Sequence, residues 1–312
     1  MSDAPMKGDS PEKAAEALRA GQLVILPTET VYGLAADASK PEAVAKIFEA
    51  KGRPRFNPLI AHVADLVSAE SIAVFDERAR ALAKAFWPGP LTIVAPVRDS
   101  GQVCDLARAG LDSVAIRVPA HEKARAVISA FGGAVVAPSA NRSGRPSPTT
   151  FADALEETGT STGAAVDGGS CREGVESTVV SVLGDQIALL RPGTITREQI
   201  EAVVGPLAAS AEEGHRSPGR LTLHYAPDAP VRINATNVKD GEILLGFGEG
   251  VGDPRWSLST VGDLREAAAN LFRLLREADR TKPSGIAVST IPATGLGEAI
   301  NDRLSRAAGF VG

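Results

Sequence analysis

Apolar residues recur along this chain at two spacings, the 3.6-residue period of amphipathic helices and the two-residue period of half-buried strands. Helical spacing covers residues 10–21, where Ser10 is the predicted N-cap, and residues 76–86. Short apolar runs predict strands at residues 22–27, 59–63, 91–97, 113–118 and 134–137. Because helices and strands alternate in this order, the pattern predicts an α/β fold.

A hairpin signal follows in residues 178–191. Gly184 and Asp185 can form a two-residue turn between two apolar runs. This turn would place Thr178 opposite Arg191, so that Ser177 and Arg191 emerge together at the open end of the two strands. An antiparallel pair of this kind makes a mixed sheet the expected architecture.

A domain boundary is predicted after the short helix that begins at the capping box of Thr196 and Gln199, because polar, irregular sequence then continues to about residue 230. Strands at residues 242–247 and 285–291, with helices at residues 264–278 and from residue 297, predict a small parallel βαβ unit. We therefore expect a catalytic domain over residues 1–205, a linker and possible active-site lid over residues 206–230, and a small Rossmann-like α/β domain over residues 231–312.

Composition narrows the function classes. With 312 residues, 44% hydrophobic and 23% charged, the chain can bury two ordinary cores. The polar start and the absence of any run of roughly 18 apolar residues predict a protein that is neither secreted nor in a membrane. The two distant cysteines disfavour a zinc site and fit the reducing cytoplasm. A formal net charge of −5 disfavours a broad nucleic-acid surface, so direct tRNA binding should be weak or local.

Lys51 is the first candidate for chemistry. In the helix over residues 41–51, Val44, Ile47 and Phe48 mark one face, and Lys51 continues that stripe inward. The lysine could instead sit on the last turn and extend its amine to water. Arg53 adds a second cation nearby, and because a buried unpaired cation costs several kcal/mol, an anionic ligand is favoured.

Two further segments bring cations and polar groups to strand ends. In the strand over residues 113–118, Ser113 and Arg117 share the face opposite the apolar residues, although a solvated arginine would fit the same pattern. The loop over residues 138–147 is rich in hydroxyls, amides and backbone N–H groups, which suit phosphate and ribose but also occur in ordinary loops. No Ser/His/Asp set, GxSxG motif or carboxylate pair indicates covalent or hydrolytic catalysis.

These segments together resemble a known family, the YrdC-like threonylcarbamoyl-AMP (L-threonylcarbamoyladenylate) synthases in their long form with an additional C-terminal domain. The matching motifs cover residues 27–34, 51–59, 87–92, 113–119, 138–141, 174–178 and 191–193. The segments at residues 217–219, 224–227 and 295–304 are similar to the linker and C-terminal domain of the long members.

The resemblance implies a twisted mixed sheet around a large cavity that binds ATP, bicarbonate or CO2, and L-threonine. It implies Mg2+ on the triphosphate with no metal held by protein side chains. The product, threonylcarbamoyl-AMP, would pass to a tRNA threonylcarbamoyl-transferase complex.

The resemblance also assigns residues to roles. Lys51 and Arg53 would be catalytic, and Ala137 would contribute only its backbone. The expected ATP contacts are Arg53, Asn57, Ser113, Ser139, Asn141, Ser147, Arg191 and Tyr225. The expected threonine contacts are Thr30, His62, Arg117, Ala137 and Ser177. Without the resemblance, Thr30 and His62 would be read as packing residues and Tyr225 as a docking residue of the linker.

Two alternative functions stay open at this point. A double-stranded RNA-binding module would use the basic segment at residues 51–55, but the net acidity of the chain disfavours it. A carbamoyl-transfer maturation enzyme contains a similar domain, but such enzymes resemble assemblies with cysteine-rich zinc fingers, which this sequence lacks.

Overall fold

The computed structural model describes residues 8–53, 57–99, 101–208 and 224–309. The helices in this part of the chain are α1 (Pro11–Arg19), α2 (Pro41–Lys51), α3 (Leu66–Ile72), α4 (Glu77–Phe86), α5 (Asp105–Arg108), α6 (Glu122–Phe131), α7 (Phe151–Thr158), α8 (Arg197–Val204), α9 (Leu264–Arg280) and α10 (Leu296–Ala307). The strands are β1 (Leu23–Leu26), β2 (Gly33–Asp37), β3 (Ile60–His62), β4 (Leu91–Pro96), β5 (Ser113–Arg117), β6 (Val135–Val136), β7 (Thr162–Ala165), β8 (Thr178–Ser181), β9 (Ala188–Arg191), β10 (Val231–Arg232), β11 (Glu242–Phe247), β12 (Ser257–Ser259) and β13 (Gly285–Val288).

The helix starts follow from their capping residues. The Ser10 hydroxyl accepts a hydrogen bond from the Lys13 N–H at 3.3 Å, which fixes the start of α1. Thr196 and Gln199 form the predicted capping box at the start of α8. Both predicted helix starts are therefore confirmed.

The larger sheet has the strand order β7-β1-β2-β6-β3-β5-β4-β8-β9 and mixes parallel with antiparallel pairs. The five strands predicted from apolar runs are all present, each within a residue or two of the expected bounds. Strands β2 and β7 come in addition. Both consist largely of glycine and alanine, so their own strand propensity is low and pairing with the neighbouring strands determines their conformation.

The hairpin of β8 and β9 differs from its prediction by one residue at its open end. Val180 pairs with Leu189 as the expected turn requires, but the register then shifts, and Arg191 pairs with Val179 instead of Thr178. A bulge causes this shift, because it places one extra residue on β9 and turns the following side chain. The predicted pairing of Thr178 with Arg191 is therefore wrong.

A smaller sheet has four parallel strands in the order β10-β13-β11-β12. Together with helices α9 and α10 it forms residues 231–309, which we call the C-terminal unit. The parallel arrangement is the one predicted. We call residues 8–208 the N-terminal unit. The two units share a hydrophobic cluster, in which Val31 and Val175 pack with Leu271 and Phe272 of α9. No described helix is long and apolar enough to cross a membrane.

Candidate active site

A buried chamber lies at one edge of the larger sheet. His62 ends β3, Arg117 ends the parallel strand β5, Arg191 ends β9, and Ser177 immediately precedes β8. The strand directions bring these four ends to the same edge. Nine of the residues expected from the sequence line the chamber: Thr30, Arg53, His62, Arg117, Ala137, Ser139, Ser177, Arg191 and Tyr225.

The free space in this chamber is about 50 Å3, well below the roughly 300–1,000 Å3 of typical small-molecule sites. His224 and Tyr225 lie in the chamber wall and are 5% and 1% exposed. The resemblance implies a large cavity. The structure has a nearly filled chamber instead, because these two rings occupy part of its volume.

Lys51 points inward, as the periodicity of α2 predicts, and is 3% exposed. Gly52 ends the helix with a φ of 59°, the left-handed conformation that glycine adopts readily. The Lys51 amine donates to the carbonyl oxygens of Ser139 and Asn141. Burial, followed by the charge of Arg53, holds the lysine pKa well below its usual range. The described contacts thus give this amine only neutral oxygens to bind.

Arg53 lies next to Lys51 and is 9% exposed. Its Nη2 donates to the Pro58 carbonyl at 3.5 Å, and its buried Nε has no hydrogen-bond partner among the described residues. Burial lowers the pKa of the guanidinium to about 10, so it stays charged at neutral pH. A buried donor without a partner is costly, and an anion in the chamber would satisfy it.

Arg117 is held by three acceptors. Its Nη2 donates to Glu29 Oε1 at 2.5 Å, its Nη1 to Thr30 Oγ1 at 2.9 Å, and its Nε to the Gly89 carbonyl at 3.2 Å. Burial raises the Glu29 pKa, but the charge and hydrogen bond of Arg117 outweigh it, and the net pKa is lowered. A guanidinium carries five N–H groups, so two can still donate to a second carboxylate.

His62 stands beside Arg117 at the end of β3. Its Nδ1 lies 3.1 Å from the Ile60 carbonyl, which can only accept, so Nδ1 carries the proton and Nε2 is an acceptor. Burial and then the charge of Arg117 lower the His62 pKa to about 3. The ring is therefore neutral at physiological pH.

Arg191 and Ser177 meet despite the shifted register. Arg191 Nε and Nη2 donate to the Ser177 carbonyl at 3.1 and 2.9 Å, and Nη2 also donates to Ser177 Oγ at 3.1 Å. The predicted proximity of these two residues is confirmed. Their polar groups face the same chamber as Arg53 and Arg117.

Comparison with known proteins decides the family. The Sua5/YciO/YrdC family model, described as telomere recombination, matches residues 16–193, and the model of the threonylcarbamoyl-AMP synthase C-terminal domain matches residues 195–309. The chain is 41% identical to the threonylcarbamoyl-AMP synthase of Bacillus subtilis, with 95% of this chain and 92% of the relative covered. It is 40% identical to the synthase of Pyrococcus abyssi, with 95% and 93% covered.

The chain belongs to the Sua5/YrdC family of threonylcarbamoyl-AMP synthases. A solved structure of P. abyssi Sua5 complexed with L-threonine matches the fold with a TM-score of 0.86 at 38% identity and covers 96% of this chain and 94% of its own. These near full-length relatives do not favour the RNA-binding module or the carbamoyl-transfer maturation enzyme.

Within this Sua5/YrdC protein, five of the expected residues do not line the chamber: Lys51, Asn57, Ser113, Asn141 and Ser147. Two of these are one hydrogen bond away from it, because Lys51 donates to the Ser139 carbonyl and Ser147 donates to Glu176. Lys51 also donates to the Asn141 carbonyl, and the Asn141 amide donates to the Arg145 carbonyl at 2.9 Å, which holds the loop. Asn57 and Ser113 are buried, and no described hydrogen bond reaches Ser113 Oγ.

Three acidic or aromatic partners were not predicted as site residues. Glu29 orients Arg117, and Glu176 and His224 line the chamber of this Sua5/YrdC protein. Glu29 and Glu176 both lie inside the motifs that carried the resemblance, beside Thr30 and Ser177. A carboxylate next to a predicted anion site is a sequence signal that could have identified both residues, because it can orient one of the cations or balance its charge.

Proposed function

We propose that this protein converts L-threonine, bicarbonate or CO2, and ATP into L-threonylcarbamoyl-AMP and pyrophosphate. The observation that carries the proposal is that Arg53, Arg117 and Arg191 line one buried chamber, with Lys51 one residue away behind Ser139. Buried cations that converge from distant segments are stabilised by an anionic ligand. The names of the relatives agree with this activity.

The threonine end of the chamber is proposed at Arg117. Two remaining N–H groups of its guanidinium would bind the threonine carboxylate as a bidentate pair. Thr30, His62, Ser177 and the backbone of Ala137 would surround the rest of the amino acid. The threonine amine, in its neutral form, would then add to CO2 and form a carbamate, and the proton released from nitrogen would pass to water.

The ATP end is proposed at Arg53 and Arg191. A carbamate oxygen would attack the α-phosphorus, the bond to the β-phosphate oxygen would break, and pyrophosphate would leave. No enzyme nucleophile takes part, so the catalytic contribution is positioning together with cations aimed at the developing charge. Lys51 and Arg53 supply that charge. The further contacts proposed for ATP are Asn57, Ser113, Ser139, Asn141, Ser147 and Tyr225.

Magnesium is proposed to arrive on the triphosphate. Among the described residues, no group of three or more His, Cys, Asp or Glu side chains could hold a metal ion. Triphosphate oxygens and water are ligands that Mg2+ prefers. The protein residues would therefore bind the phosphates, and no step depends on a metal site of the protein.

The linker is proposed to act as a lid. With His224 and Tyr225 in place, about 50 Å3 is free, which cannot hold ATP, whose site would need roughly 300 Å3 or more. Tyr225 has a φ of 65°, a conformation that costs a residue with a side chain about 1–2 kcal/mol. This segment would therefore move when ATP enters. The predicted lid also includes residues 209–223, which lie outside the described residues.

We also propose the roles of the three parts of the chain, the acceptor of the product and the cellular location. The three parts at residues 1–205, 206–230 and 231–312 would be the catalytic domain, the lid and the C-terminal domain. The product is a mixed anhydride that must reach an acceptor, and we propose that a tRNA threonylcarbamoyl-transferase complex receives it. A cytoplasmic location fits the two buried free cysteines, Cys104 and Cys171.

Pyrophosphate release tests the proposed activity. The purified protein should release pyrophosphate from ATP only when threonine and bicarbonate are both present, and the adenylate should be detected by mass spectrometry. Omitting either substrate should remove the signal. Pyrophosphate release that does not depend on threonine, or salt-dependent RNA binding without any release, would contradict the proposal.

A further inference from the structure

Arg303 of the C-terminal unit reaches the chamber of the N-terminal unit. It lies on α10 and is fully buried, at 0% exposure. Its Nε donates to Glu176 Oε2 at 2.9 Å, and its Nη1 donates to Asp302 Oδ2 at 2.7 Å. The guanidinium carbon also lies 5.6 Å from the centroid of the Tyr225 ring. One side chain thus contacts both a chamber carboxylate and the lid tyrosine.

Glu176 continues this connection toward the proposed ATP contacts. Its second oxygen, Oε1, accepts a hydrogen bond from Ser147 Oγ at 2.5 Å. Burial raises the Glu176 pKa, but the charges of Arg303 and Arg191 outweigh burial, and the net pKa is lowered. The carboxylate is therefore ionised at neutral pH. Without Arg303, this negative charge would face the triphosphate with less compensation.

The backbone around Glu176 is held by the same C-terminal unit. Gly174 has a φ of 73°, and a Cβ added there would lie 2.4 Å from the Ala268 carbonyl oxygen and from Ala269 Cα of α9. Val175 is fully buried in the hydrophobic cluster that the two units share. The segment therefore cannot shift without disturbing α9. Side chain and backbone contacts together fix the position of Glu176.

We propose that Arg303 is a positioning residue for the ATP site. It neutralises Glu176, which keeps the chamber favourable for a triphosphate, and through Glu176 it holds the Ser147 hydroxyl in place. The inference rests on the proposed function, because it needs the chamber to bind ATP. It gives the C-terminal unit a part in ATP binding through a side chain of α10.

The test compares Arg303→Met with Arg197→Met in the full chain. Arg197 forms an ion pair with Glu298 at 2.9 Å across the same two units, but both side chains are more than a third exposed. We expect Arg303→Met to raise the KM for ATP by about 10-fold or more, because the ionised Glu176 carboxylate loses its directly bonded cation and keeps only the more distant charge of Arg191. The KM for threonine should change by less than about 2-fold, as should both constants in Arg197→Met, since exposed pairs contribute little.

A second variant separates positioning from folding. In Glu176→Gln/Arg303→Met the negative charge of Glu176 is gone as well, so the KM for ATP should return to within about 3-fold of the wild-type value. Equal ATP constants in the two single arginine variants would overturn the proposal. So would a double variant that shows no rescue or does not fold, because Arg303 would then serve only structure. Absence of threonine-dependent pyrophosphate release in the wild-type protein would instead reject the proposed function itself.

Discussion

At the scale of single residues, the chamber and its immediate surroundings are defined by buried basic side chains. Lys51, Arg53, Arg117 and Arg191 are each at most 9% exposed. The sequence alone predicts that Lys51 points inward, because helical geometry places it on the apolar face of α2. The contacts of Glu29 and Glu176 could not be predicted in the same way, since each depends on an arginine 88 or 127 positions away.

Replacing Lys51 with alanine should remove the amine that contacts Ser139 and Asn141 beside the chamber. We expect kcat for pyrophosphate release to fall by about 100-fold or more, as for the loss of a donor that stabilises developing negative charge. Lys46→Ala is the matched control, because Lys46 lies on the same helix but is exposed and donates to the Gly21 carbonyl. Equal rates in the two variants would show that Lys51 only supports the fold.

At the scale of elements, strongly patterned segments were predictable and context-dependent ones were not. Strands β11 and β13 of the C-terminal unit are largely apolar runs, and Asp263 caps α9, so sequence and structure agree there. The glycine- and alanine-rich strand β2 gave no signal, because its neighbours in the sheet decide its conformation. The bulge in β9 could not be predicted, since register depends on pairing across the strands.

Gly174→Ala tests the contact between the segment before β8 and helix α9. The new methyl would collide with the α9 backbone at 2.4 Å, and both strain and overpacking should lower the free energy of unfolding by about 2–5 kcal/mol. Gly169→Ala is the control, because its φ of 75° is equally unfavourable but open space surrounds it. Urea unfolding should show a smaller loss for the control. Equal losses would mean that backbone strain alone accounts for the effect.

At the scale of the whole molecule, the chamber depends on both units. Tyr225 packs on Phe272 of α9 with 5.3 Å between ring centroids, and the hydrophobic cluster runs across the boundary. The sequence predicted two sheets and a linker, yet it did not predict that the second unit contacts the site, because no local pattern encodes a contact between distant helices and loops.

The pH dependence of stability should report the two histidines that are buried in the described part of the chain. Burial lowers the pKa of His62 and of His224 to about 3, whereas an unfolded histidine has a pKa near 6.5. Between these values the unfolded state binds more protons, so the free energy of unfolding falls as pH decreases below about 6.5. Each histidine contributes up to roughly 1.4 kcal/mol per pH unit.

Chemical unfolding between pH 7 and pH 5 measures this slope, because in that window most carboxylates stay ionised in both states. His62→Gln should reduce the slope of the unfolding free energy against pH by the contribution of one histidine. A wild-type stability that stays constant across the window would contradict the buried, neutral state of both rings.

The most direct test of the account is to measure the KM for threonine and the KM for ATP in Arg117→Ala and in Arg191→Ala, by pyrophosphate release below the thermal transition of each variant. If one chamber holds both substrates at opposite ends, Arg117→Ala should raise the threonine KM by about 100-fold while the ATP KM changes far less, because a bidentate carboxylate partner is lost. Arg191→Ala should show the reverse pattern. Unchanged constants in both variants would contradict the shared chamber.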